Sequence, residues 1–310
     1  MAKRKRPDWQ QALGRRAGNL GAHLVIGLMW LLHWLPLPAL AVLGRGLAWL
    51  LWRLARSRRR VAMTNLRLCF PTLTESEREA IGREHFVYLC TSLFDRGVLW
   101  FASDARLKRL VRVEGDVRRA ERTGEPVMWL LPHFVGLEFT APALMLNQGR
   151  AGVDVFQRQS NEVFDAGLLK ARGRFGRSTL VDRAAGIRPV IRAIQAGAGF
   201  VNAPDMDFGH KDSAFLPFFG VPASTLLAPA RMALSMKMLV QPIVLTMLPR
   251  GRGYVAEFCE PPPGFDDPDP ARAMAAFNAW LEQRIRANPS QYLWVHRRFK
   301  TRPAGEPKFY

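Results

Sequence analysis

The pattern of apolar and polar positions divides the chain near residue 60. Residues 20–43 contain no Asp, Glu, Lys or Arg. A helix of that length would extend about 36 Å, enough to cross a hydrocarbon core of about 30 Å. Pro36 and Pro38 interrupt the run, because proline breaks a helix and restricts the residue before it. The pattern therefore predicts a helix to about residue 35, a bend and a second apolar helix to residue 54. The anchor could cross the membrane or lie at its interface, and the sequence does not decide between the two.

Beyond residue 60, helix and strand patterns alternate. Thr74 and Glu77 give a capping-box signal for a helix over residues 75–101. Apolar runs predict buried strands, and helical patterns lie between and after them: strands at 126–131, 199–203 and 239–246, helices at 161–169, 187–196, 228–236 and 271–287. This alternation is typical of an α/β fold with a largely parallel or mixed central sheet flanked by helices. We expect an N-terminal membrane anchor (residues 1–60) and one α/β domain (residues 61–310).

Charge supports a membrane surface as the partner of the first segment. The formal charge is +19, and residues 1–60 contribute +11 of it, with twelve Lys or Arg against Asp8. Basic residues beside an apolar run favour anionic lipids over nucleic acid, and no nucleic-acid-binding module is recognisable. A cleaved signal peptide is a poor interpretation, because the run is long and lacks a small-residue cleavage site. A buried core helix of a soluble protein is the alternative.

The cysteines indicate a reducing environment. Cys69, Cys90 and Cys259 are an odd number with no short spacing, which fits neither a disulfide framework nor a zinc cluster. We therefore expect the domain to face the cytosol.

The strongest chemical signal is the segment LLPHFVGLE, residues 130–138, directly after a predicted buried strand. Open α/β sheets bind ligands beyond the carboxyl ends of their strands, where His133 falls. Imidazole titrates near neutrality and suits a general base that takes the proton of an attacking alcohol. A carboxylate on the other ring nitrogen would fix the tautomer, and Glu138 is the candidate, because Gly136 relaxes the turn between them. Alternatively, His133 caps a helix and Glu138 is a solvated charge.

Several segments together carry a family resemblance. The H-x4-[DE] motif resembles that of the glycerolipid acyltransferase superfamily, and the whole chain resembles the lipid A biosynthesis acyltransferases. The matching segments are NLRLCFP (65–71), RGVLWF (96–101), VEG (113–115), HFVGLE (133–138), LVDR (180–183), APDMDFG (203–209) and YLWVHRRFKTRP (292–303).

This resemblance implies a fold like that of the glycerol-phosphate acyltransferases and a definite reaction. A fatty acyl chain passes from acyl carrier protein to a hydroxyl of a phosphorylated glycolipid acceptor, without a cofactor, at the inner membrane with the active site facing the cytoplasm. His133 is then the general base, oriented by Glu138. Glycerol-phosphate acyltransferases usually have Asp at the second position, so Glu138 favours the lipid A branch.

The arginine of the family's Tyr-Arg-Pro segment is displaced here, where the sequence is FQRQ (156–159). Its possible counterparts are Arg158, Arg172, Arg174 and Arg177.

Other residues are predicted to bind substrate. Arg174 and Arg183 are candidates for phosphate binding, because a guanidinium pairs bidentately with phosphate and stays charged. Asp205 is expected to pair with an arginine at the site, and Gly209 to allow a tight turn. Asp205 and Asp207 resemble a D-x-D metal motif, but no His or Cys lies beside them and a thioester donor needs no Lewis acid, so no metal is expected.

Two other functions compete with this interpretation. One is acyl transfer to a different acceptor, such as a glycerophospholipid or a polyene lipid. The other is a non-enzymatic membrane protein whose basic face recruits anionic lipid or nucleic acid.

Overall fold

The computed structural model describes the backbone from residue 8 and the side chains from residue 18 to residue 310. The basic residues 3–6 of the predicted anchor, and the side chains of Arg15 and Arg16, lie outside the described part.

The predicted α/β fold with a mostly parallel central sheet is confirmed. Within the described residues the helices are α1 Asp8–Leu32, α2 Leu37–Leu54, α3 Arg56–Cys69, α4 Glu75–Phe101, α5 Asp104–Leu110, α6 Arg119–Thr123, α7 Thr140–Met145, α8 Glu162–Gly173, α9 Arg188–Gln195, α10 Ala228–Ser235 and α11 Pro270–Ala287. The strands are β1 Val111–Gly115, β2 Val127–Leu130, β3 Gly152–Phe156, β4 Ser178–Asp182, β5 Gly199–Asn202, β6 Ser213–Phe218, β7 Val221–Leu226, β8 Leu239–Met247 and β9 Tyr254–Phe258.

Seven strands form the central sheet in the order β1-β9-β8-β2-β5-β3-β4. The strands β8, β2, β5, β3 and β4 are parallel, whereas β9 is antiparallel to β8 and carries β1 parallel to itself. A separate hairpin joins β6 and β7. All four residues of β2 are buried, as expected for a central strand covered on both faces. The carboxyl ends of β2, β5 and β8 therefore meet at one edge of the sheet.

The long helix α4 begins and ends where the sequence predicts. Thr74 and Glu77 form the predicted capping box, which satisfies two of the free backbone N–H groups at the start of the helix. Cys90 on α4, like Cys69 and Cys259, is buried and unbridged.

The N-terminal helices α1 and α2 are separated by the predicted bend at Pro36. Both pack against α4: Gly44 of α2 lies against the backbone of Thr91, and Gly97 of α4 lies against the carbonyl of Met29, so a Cβ would not fit at either glycine. The residues 20–43 therefore do not form one continuous helix. In the described part of the chain, α2 is the helix long and apolar enough to cross a membrane, and a third of it is buried against the protein.

Exposed positions of α1, of α2 and of the turn between them form an apolar face. It contains thirteen of the nineteen large hydrophobic residues exposed in the described chain. They are Leu20, Leu24, Val25, Leu28, Trp30, Leu31, Trp34, Leu35, Val42, Leu43, Trp49, Leu50 and Leu54. Soluble proteins rarely leave so large an apolar patch uncovered. We call these residues the apolar face.

Candidate active site

His133 lies in the loop that follows β2, at the sheet edge where parallel α/β folds bind ligands. The C-terminal segment holds this loop by backbone hydrogen bonds. Val135 N–H donates to the carbonyl of Gln291 at 2.7 Å, and Leu293 N–H donates to the carbonyl of His133 at 3.0 Å. Residues more than 150 positions apart in sequence therefore fix the histidine together.

Asp205 is the carboxylate that orients His133. The His133 Nδ1 and Asp205 Oδ1 atoms are 2.6 Å apart, and the His133 backbone N–H donates to Asp205 Oδ2 at 2.8 Å. Asp205 follows β5, the neighbour of β2 in the sheet. Burial raises the pKa of Asp205, but the positive charge and hydrogen bonds of His133 outweigh this effect, so the pKa is lowered. An ionised Asp205 accepts a hydrogen bond from Nδ1–H, which leaves Nε2 without a proton and able to take one.

Two predictions about these carboxylates are therefore corrected. Among the side chains described, Asp205 pairs with His133 and with no arginine, and it occupies the ring nitrogen that was assigned to Glu138. The reason is sheet topology: β2 and β5 are adjacent and parallel, so the residues after each strand meet at one edge. The His133 side chain is 23% exposed and Asp205 is 1% exposed, so the imidazole is open to solvent while its carboxylate partner is shielded.

Glu138 lies in the 3-10 turn Leu137–Phe139, after Gly136 at a φ of +83°. Its carboxylate accepts from Arg172 at 3.3 Å, and Arg96 of α4 lies 3.6 Å away. All three side chains are about a third exposed, at 27% for Glu138, 32% for Arg172 and 34% for Arg96. Glu138 is thus bracketed by two guanidinium groups.

Arg172 extends this network to the sheet, because its second nitrogen lies 3.6 Å from Asp154 of β3. Burial raises the pKa of Asp154, and Arg172 offsets part of that increase. We call Arg96, Glu138, Arg172 and Asp154 the arginine–carboxylate network. The sequence did not single out Arg96 or Asp154, and it left Arg172 as one of four alternatives.

The two arginines predicted to bind phosphate lie in different environments. Arg174 donates to the Leu99 carbonyl at 2.7 Å and to the Ala102 carbonyl, at the end of α4, and burial lowers its pKa. The guanidinium group therefore caps the C-terminal end of α4. Its nitrogens are already hydrogen-bonded, which does not favour phosphate binding by Arg174. Arg183 is exposed over the ring of Phe208, and within residues 18–310 its guanidinium makes no hydrogen bond or ion pair.

The remaining two candidates for the family arginine also have structural partners. Arg158 pairs with Asp182 at 2.8 Å and with Asp165 at 3.3 Å, while Arg177 donates to the Met145 carbonyl at 2.6 Å. Of the four alternatives, Arg172 is the one that contacts Glu138.

The APDMDFG segment is held to the C-terminal segment by Asp207. Its carboxylate accepts from the Thr301 backbone and hydroxyl, each at 2.7 Å, and from Gly209 N–H at 3.0 Å. Gly209 has a φ of +89°, which confirms the predicted tight turn and requires glycine there.

His296 is a residue whose role the sequence did not resolve. The Asp207 backbone N–H donates to its Nε2 at 3.1 Å. Burial, followed by the nearby charge of His133, lowers the pKa of His296 to about 4. His296 is therefore neutral at pH 7 and adds no positive charge beside His133.

Comparison with known proteins places the chain among the acyltransferases. The family model of bacterial lipid A biosynthesis acyltransferases matches residues 13–301. The protein belongs to that family, and the resemblance seen in its sequence is confirmed.

Three relatives from Escherichia coli (strain K12) cover most of the chain. A lipid A biosynthesis lauroyltransferase is 33% identical over 93% of this chain and 94% of its own length. A palmitoleoyltransferase is 31% identical over 92% of both chains, and a myristoyltransferase is 31% identical over 87% of this chain and 82% of its own. These relatives are named for three different acyl groups at nearly equal identity, so similarity assigns the reaction class and not the acyl chain.

Proposed function

We propose that this protein transfers a fatty acyl chain from acyl carrier protein to a hydroxyl of a phosphorylated lipid A precursor, with His133 as the general base. The observation that carries this proposal is the His133–Asp205 pair, a partly exposed imidazole held by a buried carboxylate at the edge of a parallel sheet. Family membership supplies the reaction class. A thioester donor is consistent with a site that has a base and cations.

The chemistry follows from the protonation states. His133 Nε2 takes the proton of the acceptor hydroxyl as its oxygen attacks the acyl carbonyl carbon. The resulting imidazolium is stabilised by Asp205, which remains ionised. When the carbon–sulfur bond breaks, the proton passes from His133 to the departing thiolate. One ester forms, one thioester is cleaved and the histidine returns to its neutral state.

The arginine–carboxylate network supplies positive charge beside the base. Glu138 holds Arg96 and Arg172 together, and a single carboxylate neutralises only part of their charge. Partly exposed guanidinium groups suit the phosphate of either substrate or the developing oxyanion. In this proposal Glu138 acts by positioning the two arginines, while the exposed Arg183 contacts acceptor phosphate at the rim.

The apolar face attaches the enzyme to the cytoplasmic leaflet of the inner membrane. Arg53 is exposed on α2 among the apolar residues of this face, so it meets anionic headgroups while the neighbouring Leu and Trp side chains enter the interface. The α/β domain and its active site then lie on the cytoplasmic side, where acyl carrier protein is available.

The proposal is tested by reconstituting the full-length protein with acyl-loaded acyl carrier protein and a lipid A precursor, and following the acceptor mass. An increase equal to one acyl group is expected for the parent. His133→Ala should abolish the increase, whereas His210→Ala, which removes an exposed histidine, should not. Equal transfer by His133→Ala would refute the mechanism.

Parallel reactions with a glycerophospholipid acceptor or with acyl-coenzyme A distinguish the alternative substrates. Faster acylation of the glycerophospholipid would overturn the acceptor assignment. Arg183→Lys should raise the apparent Michaelis constant for the precursor, because lysine keeps the charge but loses the two-point geometry.

A further inference from the structure

A groove separate from the His133 loop lies between α2, α4 and the turn that joins β8 to β9. Its volume is about 490 Å³, within the range of sites that bind one small molecule. The residues that carry the inference below are Leu37, Ala41 and Arg45 of α2, Arg83 of α4, and Leu248 and Arg250 of the turn.

The groove has an apolar wall along one stripe of α2. Leu37, Ala41 and Arg45 follow each other at four-residue intervals, so they lie on one side of the helix. Val42 and Leu43 of the same helix belong to the apolar face. The groove therefore opens beside the surface that we assign to the membrane.

Arginines surround the mouth of the groove. Within residues 18–310, the side chains of Arg45 and Arg250 make no hydrogen bond or ion pair, whereas the Arg83 side chain pairs with Glu79 at 2.5 Å. Glu84 and the buried Asp95 are the acidic residues among the lining side chains. Because Glu79 offsets the charge of Arg83, the guanidinium groups of Arg45 and Arg250 remain against the exposed carboxylate of Glu84, and the mouth is electropositive.

Arg250 is held over the groove by a strained turn. Its φ is +59°, a left-handed conformation that is costly for a residue with a Cβ. The next residue, Gly251, packs against the carbonyl of Leu37 so closely that no side chain would fit. The turn is thus pinned to the start of α2, and the unpaired guanidinium stays beside the groove. Backbone strain of this kind is retained where the surrounding structure enforces it, often at binding sites.

We infer that this groove binds one anionic phospholipid molecule. Its phosphate lies between Arg45 and Arg250, and one acyl chain lies along Leu37, Ala41 and Leu248. The site is additional to the acyl-transfer site and goes beyond the proposed function. The groove and the His133 loop are neighbours, because Tyr254 at the groove floor stacks on Phe139 with ring centroids 4.0 Å apart.

The test is photolabelling of the full-length protein in detergent with a photoactivatable phosphatidylglycerol, followed by peptide mapping. Label is expected on peptides from α2, α4 and residues 247–254. The double variant Arg45→Gln/Arg250→Gln should reduce that label roughly tenfold, because charge-assisted hydrogen bonds to phosphate are lost. The matched control is Arg252→Gln, which removes the same charge from an exposed neighbour outside the groove and should label as the parent does.

A second variant tests the groove by volume rather than charge. Ala80 lines the mouth and is exposed on α4, so Ala80→Trp should block the groove without disturbing the core. It too should reduce labelling.

Three results would overturn the inference: unchanged labelling in both groove variants, equal labelling by zwitterionic phosphatidylcholine, or displacement of the label by the acyl donor but not by unlabelled phosphatidylglycerol. The last would make the groove part of the donor site. Acyl transfer is measured on the same variants as a separate readout. Loss of photolabelling with retained acyl transfer in the groove variants supports the lipid site. Loss of acyl transfer in His133→Ala tests the proposed function and not the groove.

Discussion

The His133–Asp205 pair makes Asp205→Asn the most informative single substitution. The carboxylate accepts two hydrogen bonds from His133, one from the backbone N–H and one from Nδ1. Asparagine keeps the shape but has one acceptor oxygen, so only one of these two donors retains a partner. If the amide N–H₂ group faces Nδ1, the imidazole proton moves to Nε2. That tautomer cannot take a proton from a hydroxyl.

The expected loss is set by what a positioned base contributes. General base catalysis typically supplies roughly 10²- to 10⁴-fold in rate, which is about 3–5 kcal/mol of transition-state stabilisation at about 1.36 kcal/mol per tenfold. The loss should appear in kcat, with little change in KM for the acceptor, because Asp205 is buried and does not reach the substrate.

Steady-state kinetics of three purified variants check this reasoning. Asp95→Asn is the matched control, since it changes another buried aspartate, one that is hydrogen-bonded to Tyr254 and not to His133. Glu138→Gln should mainly raise KM, because it releases Arg96 and Arg172 and leaves the base oriented. Near-parental kcat in a folded Asp205→Asn, together with a collapse of kcat in Glu138→Gln, would show that Glu138 is the partner of His133 during turnover.

Other contacts predict changes in stability and attachment. Arg174→Ala should lower the free energy of unfolding by about 2 kcal/mol in chemical denaturation, without changing acceptor KM, because this arginine caps α4. Burial raises the pKa of Asp95 to about 7, so the folded state binds this proton more tightly than the unfolded state does. The free energy of unfolding therefore decreases as pH rises from about 4 to 7. Asp95→Asn should remove that part of the pH dependence and be more stable than the parent at pH 8. The double variant Leu43→Glu/Leu50→Glu should reduce co-sedimentation of the protein with anionic vesicles. Unchanged co-sedimentation would contradict membrane attachment through the apolar face. Leu234→Glu, at an exposed leucine outside the apolar face, serves as the control.

Local signals predicted the elements that are determined locally. The capping box at Thr74 and the helical spacing that follows gave both ends of α4, and Pro36 gave the bend between α1 and α2. Six of the nine strands in the described residues were not predicted: β1, β3, β4, β6, β7 and β9. Two of them, β1 and β3, are short and carry charged residues: Arg112 and Glu114 in one, Asp154 in the other. Their place in the sheet depends on neighbours that local sequence does not reveal.

The site was also predicted only in part, because local sequence showed some of its residues and not others. His133 was found because it follows a buried strand, but its partner Asp205 comes from a different strand, and strand order is not written in the spacing of one motif. Arg172 and Arg174 are two residues apart near the end of α8, so they point in different directions. Arg172 reaches Glu138, whereas Arg174 caps α4. The sequence could not reveal this difference, because both residues are arginines at nearly the same position in the chain.

The backbone hydrogen bonds between the C-terminal segment and the His133 loop also affect the order of events during synthesis of the protein. The ribosome delivers Gln291 and Leu293, whose backbone groups hold Val135 and His133, about 160 residues after the histidine itself. At typical elongation rates of about 5–20 residues per second, that is a delay of roughly 8–30 s. A nascent chain therefore exposes α1 and α2 early, while the His133 loop acquires these backbone hydrogen bonds only when translation is nearly complete. Under the proposed function, membrane attachment can then precede activity, because an incomplete chain lacks two of the backbone hydrogen bonds that hold the proposed base.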